Sequence, residues 1–398
     1  MQSILVLAST YPRWKHDTEP RFVHELCKQL SREYRVVALV PHYPGARRKE
    51  DMDGVLVQRF RYFLPVGEHL AYDGGIIQNL KRNRLKLLLV PFFLISQFIQ
   101  ILVLCRKYKI RLIHAHWVIP QGLLALLARP LLPGEIKVLS TSHGGDLFSL
   151  QGRGLQALKR FVFRRSDHVT VVSNAMRDHL EQIGCNSGNV TVQSMGVDLS
   201  TRFVPGNRPA GPNRLIYVGR LVEKKGVATL VTAIHLLKND FPELRLTIVG
   251  DGPEKPALEK LVADFGVNAQ IDFAGSQPNE NVPQYYQSAG IAVVPSIVAA
   301  DGDQEGLGLV AVEALGCGCV TIVSDLPALR DVVSDGENGL VFRATDATDL
   351  SEKIRHLLTN TALFERLGSA GRQSVVNRFD WKQAGSRYLS IINKYLDM

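Results

Sequence analysis

With 398 residues, 45% of them hydrophobic and 21% charged, the chain is too long for a single compact core and too apolar for disorder, so two globular domains are expected. Its net charge of +9 is uneven: residues 32–111 hold 15 Lys/Arg against 6 Asp/Glu, an excess equal to that of the whole chain, which leaves the remainder neutral. The opening MQSILVLASTYP lacks a basic leader and reads as a strand. Five cysteines, an odd number without metal-type spacing, fit reduced cytosolic thiols rather than a disulfide framework.

In chain order, strand-like apolar runs occur at 4–9 (ILVLAS), 35–40 (RVVALV), 111–116 (RLIHAH), 137–142 (KVLSTS) and 168–173 (HVTVVS). Helical patterns such as 21–30 and 154–165 lie between them. Continuous apolar strands alternating with helices predict a parallel, doubly wound sheet.

Within the basic region, residues 85–104 (LKLLLVPFFLISQFIQILVL) are long enough to span a bilayer. Lys86 and Pro91 interrupt the run, however, and Ser96, Gln97 and Gln100 share one helical face. A helix on an anionic membrane surface or packed in the domain is expected rather than a span, with cations flanking both ends. The stretch 203–213, with three prolines and two glycines, reads as a linker.

The second half repeats the scheme, with strands at 214–219, 245–250, 271–275, 291–296, 320–324 and 339–342. Three of its strand ends lead into loops suited to anions. YVGRLVEKKG (217–226) carries Gly219, Arg220 and Lys225; VGDGPEKPALEKL (249–261) carries Gly250 and Gly252. PSIVAADGDQEGLGLVAVEAL (295–315) sets Glu305 and Glu313 eight positions apart around Gly306, Leu307 and Gly308, at the start of an apolar helix. Free amides at a helix start beside two cations describe a diphosphate site. Asp301 and Asp303 form an Asp-x-Asp pair that reads as loop rather than metal site.

Taken together, GRL-x-x-KKG, VGDGPE and PS…EGLGLVAVEAL resemble the family-4 retaining glycosyltransferases of the GT-B fold. TYPRW-x-x-D-x-x-P-RFV (10–23), IHAHW-x-x-P-x-G (113–122) and TSHGGD (141–146) resemble that family's N-terminal motifs, and 379–396 its last helix. The resemblance spans nearly the whole chain. It implies two doubly wound Rossmann-like α/β domains facing across a cleft: an acceptor domain at 1–205, a nucleotide-sugar domain at 206–378, and a terminal helix, 379–398, returning to the first.

The resemblance also implies roles. Arg220 and Lys225 would clamp the donor diphosphate, and Glu305 would receive the donor-sugar hydroxyls. Amides near Gly306, Leu307 and Gly308 would hold sugar and phosphate, Glu313 would reach the ribose, and 275–281 would meet the base. His143 would contact the donor sugar and leaving phosphate. His116 and Asp146 are acceptor-side candidates, with structural duty open for His116 and Trp117. Many family members carry a Gly-Gly pair where this chain has Pro20 and Arg21, so Arg21 could supply a charge in place of an amide.

No cofactor and no metal are expected, because cations do that work in this fold. The expected partners are a nucleotide-diphosphate sugar, a lipid-linked or glycan acceptor and an anionic membrane surface, with no nucleic acid. The expected location is cytoplasmic, peripheral to the inner face of the plasma membrane. Competing readings are a non-catalytic nucleotide-sugar-binding subunit and another GT-B enzyme such as an epimerase. A nicotinamide dehydrogenase would need a G-x-G-x-x-G turn after the first strand, and ASTYPRW lacks it.

Overall fold

The computed structural model describes every residue except 150–151, 186–187, 208–209 and 397–398. The chain divides into two compact units, Met1–Gly196 with Ala384–Met398, and Val197–Gln383.

The first unit holds β1 (Ser3–Leu7), β2 (Arg35–Pro41), β3 (Lys49–Met52), β4 (Val55–Phe60), β5 (Ile110–His116), β6 (Lys137–Ser142), β7 (His168–Val171) and β8 (Val190–Val192). They form one sheet in the order β3-β4-β2-β1-β5-β6-β7-β8. All pairings are parallel except the β3–β4 hairpin. β1 and the apolar part of β2 are buried throughout, as expected of strands covered on both faces. The sheet is covered in part by α1 (Phe22–Leu30) and α2 (Val90–Tyr108).

The second unit holds β9 (Arg214–Val218), β10 (Arg245–Val249), β11 (Ile271–Gly275), β12 (Ile291–Val294), β13 (Val320–Ser324) and β14 (Leu340–Phe342). Their order is β11-β10-β9-β12-β13-β14, all parallel. α3 (Val227–Leu237) and α4 (Leu309–Gly316) follow β9 and β12. The core joins Leu215, Leu246, Ile248, Val293 and Ile322 from the sheet to Leu230 and Ile234 of α3.

The boundary lies earlier than the proline-rich stretch, part of which (208–209) falls outside the described residues. Residues 197–203 are stitched into the second unit: Val197 N donates to Phe379 O at 2.8 Å, Leu199 N to Asp380 Oδ2 at 3.2 Å, and Arg372 Nη2 to Leu199 O at 3.3 Å. The last helix, α5 (Trp381–Leu396), leaves the second unit at Gln383. In the first unit its Tyr388 hydroxyl donates to Gln193 O at 3.1 Å and its Tyr395 hydroxyl to Asp167 O at 3.1 Å.

Each sheet has a switch point where the strand order reverses, which is where open α/β sheets place ligands. In the second unit, β9 lies between β10 and β12. The loops after β9 and β12, which carry Lys225 and Glu305, therefore face each other at the carboxyl edge. In the first unit β1 lies between β2 and β5, so the loops after β1 and β5 flank the corresponding point.

Candidate active site

In the second unit Lys225 Nζ lies 2.5 Å from Glu305 Oε2, with the two side chains only 15% and 14% exposed. Ser296 Oγ, two residues past the end of β12, adds a weaker contact to the same oxygen at 3.4 Å. Lys224 Nζ reaches Asp303 Oδ1 at 3.1 Å and the Gln304 carbonyl at 3.3 Å. Burial alone would push the Glu305 carboxyl up, but the charges of Lys225 and then Lys224 outweigh it and hold it below the ordinary range. The site thus keeps an ionised carboxylate and an ammonium in contact under cover. Arg220 stands one glycine past the end of β9; its carbonyl accepts from the buried Tyr217 hydroxyl at 2.9 Å, which fixes the backbone of that turn.

The helix start beside Glu305 is shaped by sterics. Gly308 caps α4 at φ 83°, and a Cβ there would sit 2.4 Å from Leu329 Cδ2. Only glycine takes that turn without strain, and it leaves the first amides of α4 uncapped by any side chain. Gly306 and Leu307 are buried in the turn. Gly219, Gly250 and Gly252 perform a packing duty: a Cβ on Gly250 would meet Gly219 O at 1.9 Å, and one on Gly252 would meet Leu221 O at 2.2 Å. The loops after β9 and β10 thus lie backbone to backbone, with Leu221 N donating to Asp251 O at 2.9 Å and Glu254 N to Leu221 O at 3.0 Å.

Glu313, on the second turn of α4, is pushed up to about 7 by burial, which Arg202 and Tyr286 only partly offset. Near neutrality it therefore sits between its two protonation states. Arg202 also donates to the Asn279 carbonyl, in the 275–281 segment assigned by resemblance to the base. Sequence reading did not single out Arg202, Lys224, Ser296 or Tyr286. Arg202 precedes the linker and carries no motif, whereas Lys224 was legible as the other half of the KKG pair. Asp303 is tied to Lys224 and its amide to Asp301 Oδ1 at 3.0 Å, so the Asp-x-Asp pair is built into the loop. Among the described residues no group of three or more His, Cys, Asp or Glu side chains is arranged to hold a metal ion.

In the first unit His116 ends β5 and His143 follows β6. Their rings stack at 5.2 Å, with His116 Nδ1 2.9 Å from His143 Nε2. Trp117 and Phe22 pack on His143 at 5.1 and 5.0 Å. Burial pushes His143 down to about 3 and His116 well below its usual range, so both are neutral at physiological pH. His143 keeps partial solvent contact while His116 is fully buried, which makes His143 the reachable ring and His116 its support.

Asp146 is 3% exposed and accepts from Val118 N at 2.7 Å, Ser142 Oγ at 2.9 Å and His143 N at 3.1 Å. That carboxylate shapes the His143 turn and the loop after β5 rather than presenting itself to solvent. Arg21 precedes α1, donating to Lys15 O at 2.8 Å and pairing with Glu25 and Asp53 at 3.6 and 3.7 Å.

Comparison with known proteins bears on this geometry. The Glycosyltransferase Family 4 model matches residues 20–201 and the Glycosyl transferases group 1 model residues 201–374. The chain is 28% identical over 283 residues to a glycogen synthase of Mycobacterium tuberculosis, covering 70% of this chain and 67% of that one. It is 28% identical over 290 residues to a GDP-mannose-dependent alpha-(1-6)-phosphatidylinositol monomannoside mannosyltransferase of Mycolicibacterium smegmatis, covering 69% and 74%. Among solved structures, sucrose-phosphate synthase from Thermosynechococcus elongatus superposes with a TM-score of 0.80 at 22% identity over 100% of both chains, which carries the fold. The two family models together take in residues 20–374, and the chain belongs to the family-4 glycosyltransferases of the GT-B fold.

Proposed function

We propose that this glycosyltransferase moves a hexose from a nucleoside-diphosphate sugar, with retention of anomeric configuration, to a lipid-linked or polysaccharide precursor at the cytoplasmic membrane face. The observation that carries it is the covered Lys225–Glu305 pair at the switch point between β9 and β12, beside the uncapped amides of α4. A diphosphate in that position meets Lys225, Arg220 and the helix start, where charge developing on the leaving group is offset without reorganisation.

Glu305, kept ionised by two lysines, is an acceptor for sugar hydroxyls. Glu313 takes the ribose hydroxyls. His143, neutral because of burial, offers a hydrogen-bonding ring and no positive charge. Neutralising the leaving phosphate therefore falls to Arg220 and Lys225. The two relatives differ in product, so what comes across from them is the class of reaction, transfer from a sugar nucleotide to a glycan or glycolipid.

The test has two steps. Thermal-shift screening of nucleoside diphosphates identifies the base, since a ligand of the folded state raises the melting temperature with its affinity. The matching α-linked donor is then turned over and the new anomeric linkage read by proton NMR coupling; an α-linked product is expected. A β-linked product would overturn the retaining mechanism. Donor binding without turnover on any lipid-linked or oligosaccharide acceptor would point to a binding subunit instead.

A further inference from the structure

α2 is apolar on two sides, and its inward side buries Phe93, Ile101, Leu104 and Cys105. Its most polar flank faces the protein: Gln97 is fully buried and Ser96 Oγ donates to Arg61 O at 2.5 Å. On the opposite flank Leu88 (in the helical turn that precedes α2), Phe92, Ile95, Ile99 and Val103 are 71%, 52%, 58%, 50% and 48% exposed. At about 100° per residue the four in α2 fall within an arc of roughly 80°, at about 1.5 Å per residue they extend about 16 Å, and Leu88 stands in the turn before them. Phe63, Leu64 and Val66 continue the surface at one end, where the Phe63 and Phe92 rings lie 5.8 Å apart. Leu131, 55% exposed, continues it at the other, where its carbonyl accepts from Arg106 Nη2 at 2.7 Å. A contiguous apolar surface of this kind marks a binding face.

The charge around it is one-sided. No acidic residue occurs between Asp73 and Glu135, while that interval holds nine Lys/Arg. Lys81, Arg82 and Arg84 are exposed before α2, and Arg106, Lys107 and Lys109 at and after its end. A second copy of the chain seated by two-fold symmetry would set these cations against one another. An anionic lipid surface complements it. Residues 84–108 are long and apolar enough to cross a bilayer, with 22% of the apolar window buried. The buried side nevertheless ties the helix to the fold. Phe93 packs on Phe60 and Tyr62 at 5.0 and 5.2 Å, and α2 contacts β1, β2, β4 and β5.

We infer that α2 is an in-plane membrane anchor: its outward stripe and the 63–66 loop enter the acyl boundary of an anionic leaflet while the basic residues at both ends hold the headgroups. This deepens the membrane-facing acceptor reading, but its test needs neither donor nor acceptor. The N-terminal end of the stripe adjoins the polar edge of the same unit. Lys86 Nζ donates to His69 O at 3.0 Å, His69 stacks edge-on with Tyr43 at 5.4 Å, and Asp73 pairs with Arg13 at 2.9 Å. A lipid-anchored acceptor leaving the bilayer at that end meets carboxylate and aromatic groups first.

The experiment is co-sedimentation of the full chain with phosphatidylcholine vesicles with and without an equal share of phosphatidylglycerol, at low and high salt. Binding should require phosphatidylglycerol and decline with salt. Ile95→Glu/Ile99→Glu, at exposed positions, should weaken it by at least about tenfold. Arg106→Ser/Lys107→Ser/Lys109→Ser should weaken it by about a hundredfold, at about fivefold per charge. Val66→Trp should be quenched by brominated lipid.

Wild-type-like binding by the Ile95→Glu/Ile99→Glu variant, or no sedimentation of the wild type at low salt, would overturn the inference. So would a dimer in sedimentation velocity that the same double substitution dissolves, which would identify a second copy as the occupant. Nucleotide-sugar thermal shifts measured on each variant should stay at the wild-type value. Their loss in the wild type would instead strike the donor reading.

Discussion

Replacing Lys225 by Met removes the ammonium 2.5 Å from Glu305 while keeping most of the stem. Glu305 is 14% exposed, so the change leaves a covered carboxylate without its direct partner, and Lys224 stays engaged with Asp303 at 3.1 Å. Burial then dominates, and the carboxyl moves upward from its depressed value. In the wild type that depression adds stability at neutral pH which fades as pH falls below about 4.5. In Lys225→Met this contribution shrinks.

Orphaning one member of a covered pair costs about 3 kcal/mol. For a unit of this size that lowers its melting temperature by about 6–12 °C. Activity should fall separately, with kcat/KM down by about 10²- to 10³-fold, the scale for losing one group that stabilises developing charge. The double variant Lys225→Met/Glu305→Gln separates the two effects: it should recover most of the stability and none of the activity. Thermal unfolding and steady-state kinetics on the three proteins decide the matter. A Lys225→Met protein that melts and turns over like the wild type would refute both the covered ion pair and the diphosphate assignment.

Three further outcomes are expected. Arg220→Ala should lower kcat/KM by about 10²-fold while leaving the fold intact, as circular dichroism would show. Because Glu313 titrates at about 7 and its carboxylate is the better acceptor for ribose hydroxyls, affinity for the nucleotide sugar should rise as pH increases through neutrality. Calorimetry in buffers of different ionisation enthalpy should detect proton release, and Glu313→Gln should abolish it. Gly308→Ala forces a Cβ to within 2.4 Å of Leu329 at a left-handed φ, so it should cost about 1–3 kcal/mol in urea unfolding and weaken nucleotide-sugar binding.

Most of the sheet framework was legible because the central strands are covered on both faces and leave uninterrupted apolar runs; 137–142, 271–275 and 320–324 match β6, β11 and β13 to the residue. Three strands were not. β3 reads KEDM, an edge strand with exposed and half-buried side chains, and β4 and β8 alternate or lack full burial. The β3–β4 hairpin had a local signal that went unused: Asp53 and Gly54, at φ 55° and 83°, form the paired left-handed turn that an Asp-Gly dipeptide favours. Boundaries ran past the strand ends at 8–9, 172–173 and 295–296, where apolar or small residues continue after the ladder has stopped.

The site was legible to the degree that its groups lie close in sequence to a glycine. Lys225, Glu305 and Gly308 stand in loops whose backbone must turn sharply, and the turn residues advertise the position. Arg202 and Tyr286 act on Glu313 from far away in sequence, and no periodicity or spacing marks them. The same difference separates the two histidines. His143 stands beside Gly144 and Gly145 and was selected as a contact, whereas the support it takes from His116 depends on the β5–β6 register, which sets His116 opposite Thr141 and two residues before His143.

Composition was least informative about α2, since a stretch with mean hydropathy of 2.4 fits a core helix, a span and a surface anchor equally well. Which side chains are covered separates them. A core helix would cover Ile95 and Ile99, and a spanning helix would not be packed through Phe93 onto Phe60 and Tyr62. The helix seen here leaves Ile95 and Ile99 exposed yet is packed through Phe93, which leaves a face that water alone does not account for.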